Sequence, residues 1–205
     1  MKISVIMPSY LGIYPGCANN REEKFIRAVD SFLYQEYENR ELIIISDGCD
    51  ITEKIYIEKY STNDNIIFFK IEKDVLFSGT TRNKGLELAT GDLICYLDTD
   101  DFFSKNHLSK IMEQVSNYDW YFSDDRLIKH FKSIEEYDYV VRVNEIQINK
   151  IGTSSIIHKN FEDIRWQGGY AHDWKFIEDL FNRSKLYRKI EAEYNVCHIP
   201  NMIDV

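Results

Sequence analysis

Leu93-Ile94-Cys95-Tyr96-Leu97-Asp98-Thr99-Asp100-Asp101 is the stretch that decides the fold. Five uninterrupted apolar residues, too few for an ordinary helix, suit a strand covered on both faces. Three aspartates follow with only Thr99 among them. They belong to a turn at the carboxyl end of that strand.

Upstream, the same kind of apolar run recurs. Residues 3–7 form one, closed by Pro8; residues 41–46 form a second, closed by the turn-forming pair Asp47-Gly48; residues 66–71 form a third. Helical patterns separate them. Over 22–37 the apolar residues Phe25, Ala28, Val29, Phe32 and Leu33 fall on one helical face, and 52–60 and 78–89 also read as helices. Strand and helix in alternation predict right-handed βαβ units and an α/β fold with a mostly parallel central sheet. After Asp101 the alternation ends. Helices are expected over 106–116 and 173–181, and strands over 120–123, 139–148 and 154–157, forming a small mixed subregion. The 205 residues suit a single domain, 1–205.

Composition excludes several functions. The net charge of −9 argues against nonspecific binding to nucleic acid. No 18-residue apolar window exists to span a membrane, and the apolar start is too short for a signal peptide. Cys17, Cys49, Cys95 and Cys197 have no CxxC spacing, so reduced thiols and a cytoplasmic location are expected, with room for contact at the inner membrane face. No GxGxxG follows the first strand, and no GxxxxGK[ST] occurs, which removes dehydrogenase and P-loop readings.

In an open α/β sheet, ligands sit at the carboxyl ends of the strands. Those ends here carry Pro8-Ser9-Tyr10, Asp47-Gly48-Cys49-Asp50, the 72–78 loop and Asp98-Thr99-Asp100-Asp101. Clustered carboxylates repel one another, and a hard divalent cation relieves that repulsion while leaving positions open for phosphates. A solvated turn, with Ser104 capping the following helix, is the simpler alternative.

Five segments in this order resemble family 2 glycosyltransferases, which have the GT-A fold. They are Val5-Ile-Met-Pro-Ser-Tyr10, Ser31-Phe-Leu-Tyr-Gln-Glu-Tyr37, Glu41-Leu-Ile-Ile-Ile-Ser-Asp-Gly48, Thr81-Arg-Asn-Lys-Gly-Leu-Glu-Leu-Ala-Thr-Gly-Asp92 and Leu97-Asp-Thr-Asp-Asp101. The resemblance implies a DxD-containing, inverting enzyme. Residues 1–101 would bind a nucleotide-sugar and 102–205 would face the acceptor. Pro8, Ser9 and Tyr10 would flank the base, and Asp47 would accept a hydrogen bond from a uracil N–H, favouring a UDP-sugar. Arg82 and Asn83 would lie near nucleotide or sugar, with Asp98 and Thr99 beside them. Asp100, Asp101 and His198 would hold Mn²⁺ or Mg²⁺. Asp173, in Gly168-Gly-Tyr-Ala-His-Asp-Trp174, would be the base that deprotonates an acceptor hydroxyl on a glycan, a lipid-linked precursor or another molecule; its simpler role is a helix cap. Trp120, Tyr121, Trp166, Tyr170 and Trp174 are sugar-stacking or core residues. Two alternatives stand: a sugar nucleotidyltransferase, disfavoured by the lack of Lys or Arg over 10–17, and an inactive nucleotide-sugar-binding module.

Overall fold

A computed structural model of the chain describes residues 1–73, 78–169 and 171–205. Its first half runs β1 (Ile3–Ser9), α1 (Arg21–Leu33), β2 (Arg40–Asp47), α2 (Asp50–Lys59), β3 (Ile66–Ile71), α3 (Gly79–Leu88) and β4 (Leu93–Tyr96). The four strands pair in parallel in the order β3-β2-β1-β4. Side chains along β1 divide between two cores. Val5 and Met7 join Phe25, Val29, Leu42 and Ile44 on one face. Ile6 joins Ile94, Tyr96, Trp166 and Phe176 on the other. Burial of both faces explains why β1, β2 and β4 read as near-continuous apolar runs rather than alternating ones; β3, at the sheet edge, leaves Phe69 exposed.

The second half continues with β5 (Phe102–Phe103), α4 (His107–Gln114), β6 (Trp120–Ser133), β7 (Glu136–Arg142), a 3-10 turn (Thr153–Ser155), β8 (Ile156–Lys159), α5 (His172–Arg183), β9 (Tyr187–Val196), β10 (His198–Ile199) and β11 (Ile203–Asp204). The main sheet extends past β4 as β8-β6-β9-β5, with β7 hydrogen-bonded to β6 and mixed strand directions. No helix among the described residues is long and apolar enough to cross a membrane.

Several boundaries differ from expectation for visible reasons. The helix expected over 22–37 stops at Leu33, where the Arg40 guanidinium takes the carbonyls of Phe32 and Leu33 at 3.2 and 3.0 Å. The strand expected over 139–148 ends at Arg142. Beyond it, Asn144 leaves the ladder: its N–H donates to the Asp124 carboxylate at 2.7 Å, and its side chain joins Asp125 and Ser155. β6 runs ten residues past its expected end because β7 pairs with its exposed half, which lacks an apolar run. β9 was not expected: its sequence is mostly charged or polar, and packing inside the sheet defines it. Trp120, Tyr121 and Trp166 are core residues, at most 4% exposed. Trp174 packs on that core from its edge, while Tyr170 lies outside the described residues.

Candidate active site

The carboxyl ends of β1, β2 and β4 open into one cleft of about 990 Å³, whose far wall is made by the 3-10 turn and the start of α5. Pro8, Ser9, Tyr10, Asp47, Arg82, Asp98, Thr99, Asp100, Asp101, Asp173 and His198 all line it. Eleven of the twelve residues singled out from the sequence therefore meet in one place.

Asn83 is the exception: it is not among the residues that line the cleft. Its amide clasps the backbone of Trp166, donating to the carbonyl at 2.9 Å and accepting from the N–H at 2.7 Å. It faces away from the cleft because neighbouring residues on a helix point in different directions. Arg82, one residue earlier, faces inward.

At the β1 end, Tyr10 lies in partial stacking with Tyr14, ring centroids 6.4 Å apart, and Lys73 Nζ sits 4.4 Å from the Tyr10 ring centre. Gly12 permits this packing, since a Cβ there would come within 2.5 Å of the Tyr10 ring. Ser9 turns its hydroxyl to Thr52 at 2.9 Å, so it supports the wall rather than reaching into the cleft. At the β2 end, Gly48 has φ +62°, a conformation that suits glycine, and it turns the chain so that Asp47 meets Lys73.

The turn after β4 holds the acids. Asp98 Oδ1 accepts from Arg82 Nη2 at 3.0 Å. Burial, then the neighbouring Asp98, raises the Asp100 carboxyl above the ordinary range. Burial and both neighbouring aspartates push Asp101 well above it. Asp101 is already engaged: it accepts the Cys197 N–H at 2.8 Å and a hydrogen bond from the Tyr194 hydroxyl, which in turn accepts the Asp98 N–H at 3.0 Å. Tyr194, fully buried on β9, thus fixes the turn from behind. No sequence signal pointed to it. Ser104 does not cap α4; its hydroxyl meets Tyr137 at 2.6 Å, and the cap position is Asn106.

Does this turn suit a divalent cation? Among the described residues no three His, Cys, Asp or Glu side chains form a ready-made cage. Both ring nitrogens of His198 already have neighbours, Gly16 O at 2.9 Å and Asp204 Oδ1 at 3.3 Å. Two raised carboxyls beside a third nevertheless mark an excess of negative charge. Mg²⁺-like ions use one or two protein carboxylates and take their other ligands from water and substrate phosphates. The donor set fits a cation shared with a diphosphate, not one held by protein alone.

On the opposite wall, Asp173 is the second residue of α5, and its cap position is Ala171, at φ 59° with no side-chain cap bond. The carboxylate instead accepts from the Thr153 hydroxyl and lies 3.2 Å from His172 Nε2. His172 Nε2 is also 3.2 Å from Arg82 Nη1. Burial and the Arg82 charge lower the His172 pKa, against the opposing pull of Asp173. Arg82, 4% exposed and 4.8 Å above the Trp166 ring, thus joins the Asp98 wall to the Asp173 wall. Arg142 lines the same wall, its Nη2 held by the fully buried Asp125 at 2.5 Å.

The family model for glycosyl transferase family 2 matches residues 4–186, and the chain belongs to that family. Over 204 residues, 97% of the chain and 60% of the relative, it is 22% identical to glycosyltransferase GlyG of Streptococcus pneumoniae. It is 32% identical to EpsH of Bacillus subtilis over 88% of the chain and 59% of the relative. The chain therefore spans about 60% of the length of these two relatives. Among solved structures, Staphylococcus aureus TarS in complex with UDP-GlcNAc matches with TM-score 0.71, 18% identity, and 96% and 58% coverage of the two chains. A Pyrobaculum calidifontis mannosyltransferase in complex with GDP-Man and Mn²⁺ matches with TM-score 0.66, 12% identity, and 98% and 58% coverage. These likenesses establish the GT-A-like α/β fold.

Proposed function

We propose that the chain transfers a sugar from a nucleotide-sugar, with a UDP-sugar as donor, to a hydroxyl acceptor by a single inverting displacement. One observation carries this: Asp98 and Asp100 on one wall and Asp173 on the other face the same cleft at the strand ends. The nucleotide-sugars named for the TarS and mannosyltransferase complexes support a donor of that class.

The family resemblance suggests the following roles, and the contacts support them. The Tyr10 ring, with Lys73 above it, flanks the base, and Asp47 accepts from the uracil N–H. Asp98, oriented by Arg82, contacts ribose or sugar. Asp173 takes the proton of the acceptor hydroxyl as its oxygen attacks the anomeric carbon; Thr153 fixes the carboxylate for this step. Mn²⁺ or Mg²⁺, held by Asp100 together with the donor's diphosphate, would offset the charge that grows on the leaving nucleotide. Asp101 and His198 then act as supports, since their partners hold the turn and the 11–20 loop in place. A displacement in one step needs a base but no protein nucleophile.

A thermal-shift panel of UDP-, GDP-, CDP- and dTDP-sugars, with and without Mn²⁺, tests the donor class. Binding to the native state alone adds about 2.7 kcal/mol at a hundredfold excess over Kd. A Mn²⁺-dependent rise confined to UDP-sugars is expected. An equal rise for all four, or none, refutes the assignment. Release of UDP, not pyrophosphate, separates transfer from nucleotidyl exchange.

A further inference from the structure

We propose that Arg21 binds the donor's diphosphate from the α1 side of the cleft and keeps hold of the nucleoside diphosphate that leaves. This rests on the reading of the cleft as a nucleotide-sugar site.

Arg21 is the first residue of α1 and lines the cleft. The chain enters the helix through Asn20, in the left-handed region at φ 49°, a conformation that asparagine tolerates better than most residues. The segment before it is tied down at several points. Gly16 O lies 2.9 Å from His198 Nε2, and the Asn19 N–H donates to Asp204 at 3.0 Å. Arg21 itself is held against this segment. Its Nη1 donates to the Gly12 carbonyl, its Nη2 lies 3.5 Å from the Tyr14 hydroxyl, and its guanidinium carbon is 4.6 Å from the Tyr14 ring centre. The guanidinium is therefore ordered before a ligand arrives, and a fork of fixed direction suits phosphate oxygens.

The charge of its partners sets Arg21 apart. Lys73, Arg82 and Arg142 in the same cleft meet Asp47, Asp98 and Asp125. The partners of Arg21 are a carbonyl and a phenol, both neutral, and among the described residues no carboxylate forms an ion pair with it. Its positive charge stands beside the acidic turn. The Asp100 carboxyl, raised by burial and by Asp98, is pulled back by His198 and Arg21. The Tyr14 hydroxyl, raised by burial, is lowered by Arg21 and raised by Asp100. A turn of three aspartates repels a diphosphate, and a guanidinium next to it offsets that repulsion. The order of groups also fits. Tyr10 stacks partly on Tyr14, and Arg21 lies over Tyr14 in turn. With the base at Tyr10, one ring separates it from Arg21, which leaves room for a ribose before the phosphates.

Titration of uridine and of UDP into the chain, with Mg²⁺ present and binding followed by ¹⁵N amide shifts, tests this. Arg21→Gln should weaken UDP about tenfold or more and leave uridine unchanged, because only the phosphates meet the guanidinium. Arg21→Lys keeps the charge but not the fork, and its UDP affinity should fall between those of Arg21→Gln and wild type. Loss of the cation cannot imitate this result: without Arg21 the surroundings of Asp100 are more negative, which should strengthen Mg²⁺ binding. Equal weakening of uridine and UDP makes Arg21 a support for the loop and overturns the proposal. So does a UDP affinity in Arg21→Gln that matches wild type. A wild-type chain that binds neither UDP nor uridine refutes the nucleotide-site reading, and the proposal with it.

Discussion

The two walls of the cleft are built by different means. The wall from residues 1–101 consists of strand ends. Asp47 ends β2, and Asp98, Asp100 and Asp101 follow β4 after a single residue, so backbone pairing in the parallel sheet sets their positions. The wall from residues 102–205 is assembled from a 3-10 turn, the first turn of α5 and the end of a hairpin strand. Its side chains are set by one another: Thr153 on Asp173, Arg82 on His172, and Asp125 on Arg142. A sheet edge gathers polar groups wherever strands stop, whatever their side chains do. A wall made from side-chain contacts exists only when every partner is present. The first wall should therefore tolerate single substitutions in its fold and lose ligand, whereas the second should lose chemistry first.

Asp173→Asn gives the largest effect. Asn keeps the shape and the Thr153 contact but cannot accept the acceptor's proton, so turnover should fall by about 10²–10⁴-fold. The UDP-dependent thermal shift should stay. Wild-type turnover measured as UDP release would show that the second wall carries no chemistry.

Asp100→Asn comes next and tests the first wall. Turnover should fall by about 10²–10³-fold, with the Mn²⁺-dependent thermal shift abolished. Without metal the variant should melt higher than wild type, because one of three mutually repelling carboxylates is gone. A lower melting point would show that the turn is not electrostatically strained.

Asn83→Ala separates support from ligand contact. It removes both hydrogen bonds to the Trp166 backbone and should cost about 1–3 kcal/mol by chemical denaturation. UDP-sugar binding by the folded variant should match wild type. Weakened binding at full stability would return Asn83 to the nucleotide side.

Asp204→Asn has the smallest effect, about 1 kcal/mol for a pair near the surface. Asp204 gathers Lys24, Asn19 and His198, which ties β11 to the loop over the cleft. Burial opposes the charge, but the Lys24 and Asn19 hydrogen bonds outweigh it and bring the carboxyl from 3.8 to about 2. A carboxyl lowered on folding adds stability above its unfolded value and loses it as pH falls. Wild type should lose this contribution between pH 3.8 and about 2. The difference between wild-type and variant melting points should shrink across that window, and a constant difference would exclude the ion pair.

The sequence by itself determined the parallel half of the fold and most of the first wall. Residues 66–71 were read as a strand with the bounds of β3, and the apolar run from Leu93 together with its aspartates placed the acidic turn. Such features are local: burial on both faces writes itself into consecutive residues, and a strand end lies beside its own strand. Only the tertiary structure decided that Asn83 faces away, that Tyr194 braces the turn after β4 from a mostly polar strand, and that His172 lies between Arg82 and Asp173. Apart from the adjacent His172 and Asp173, those relations join residues about 80 to 100 positions apart. The direction of one side chain and the partner it meets depend on how distant elements pack, and no periodicity along the chain records that packing.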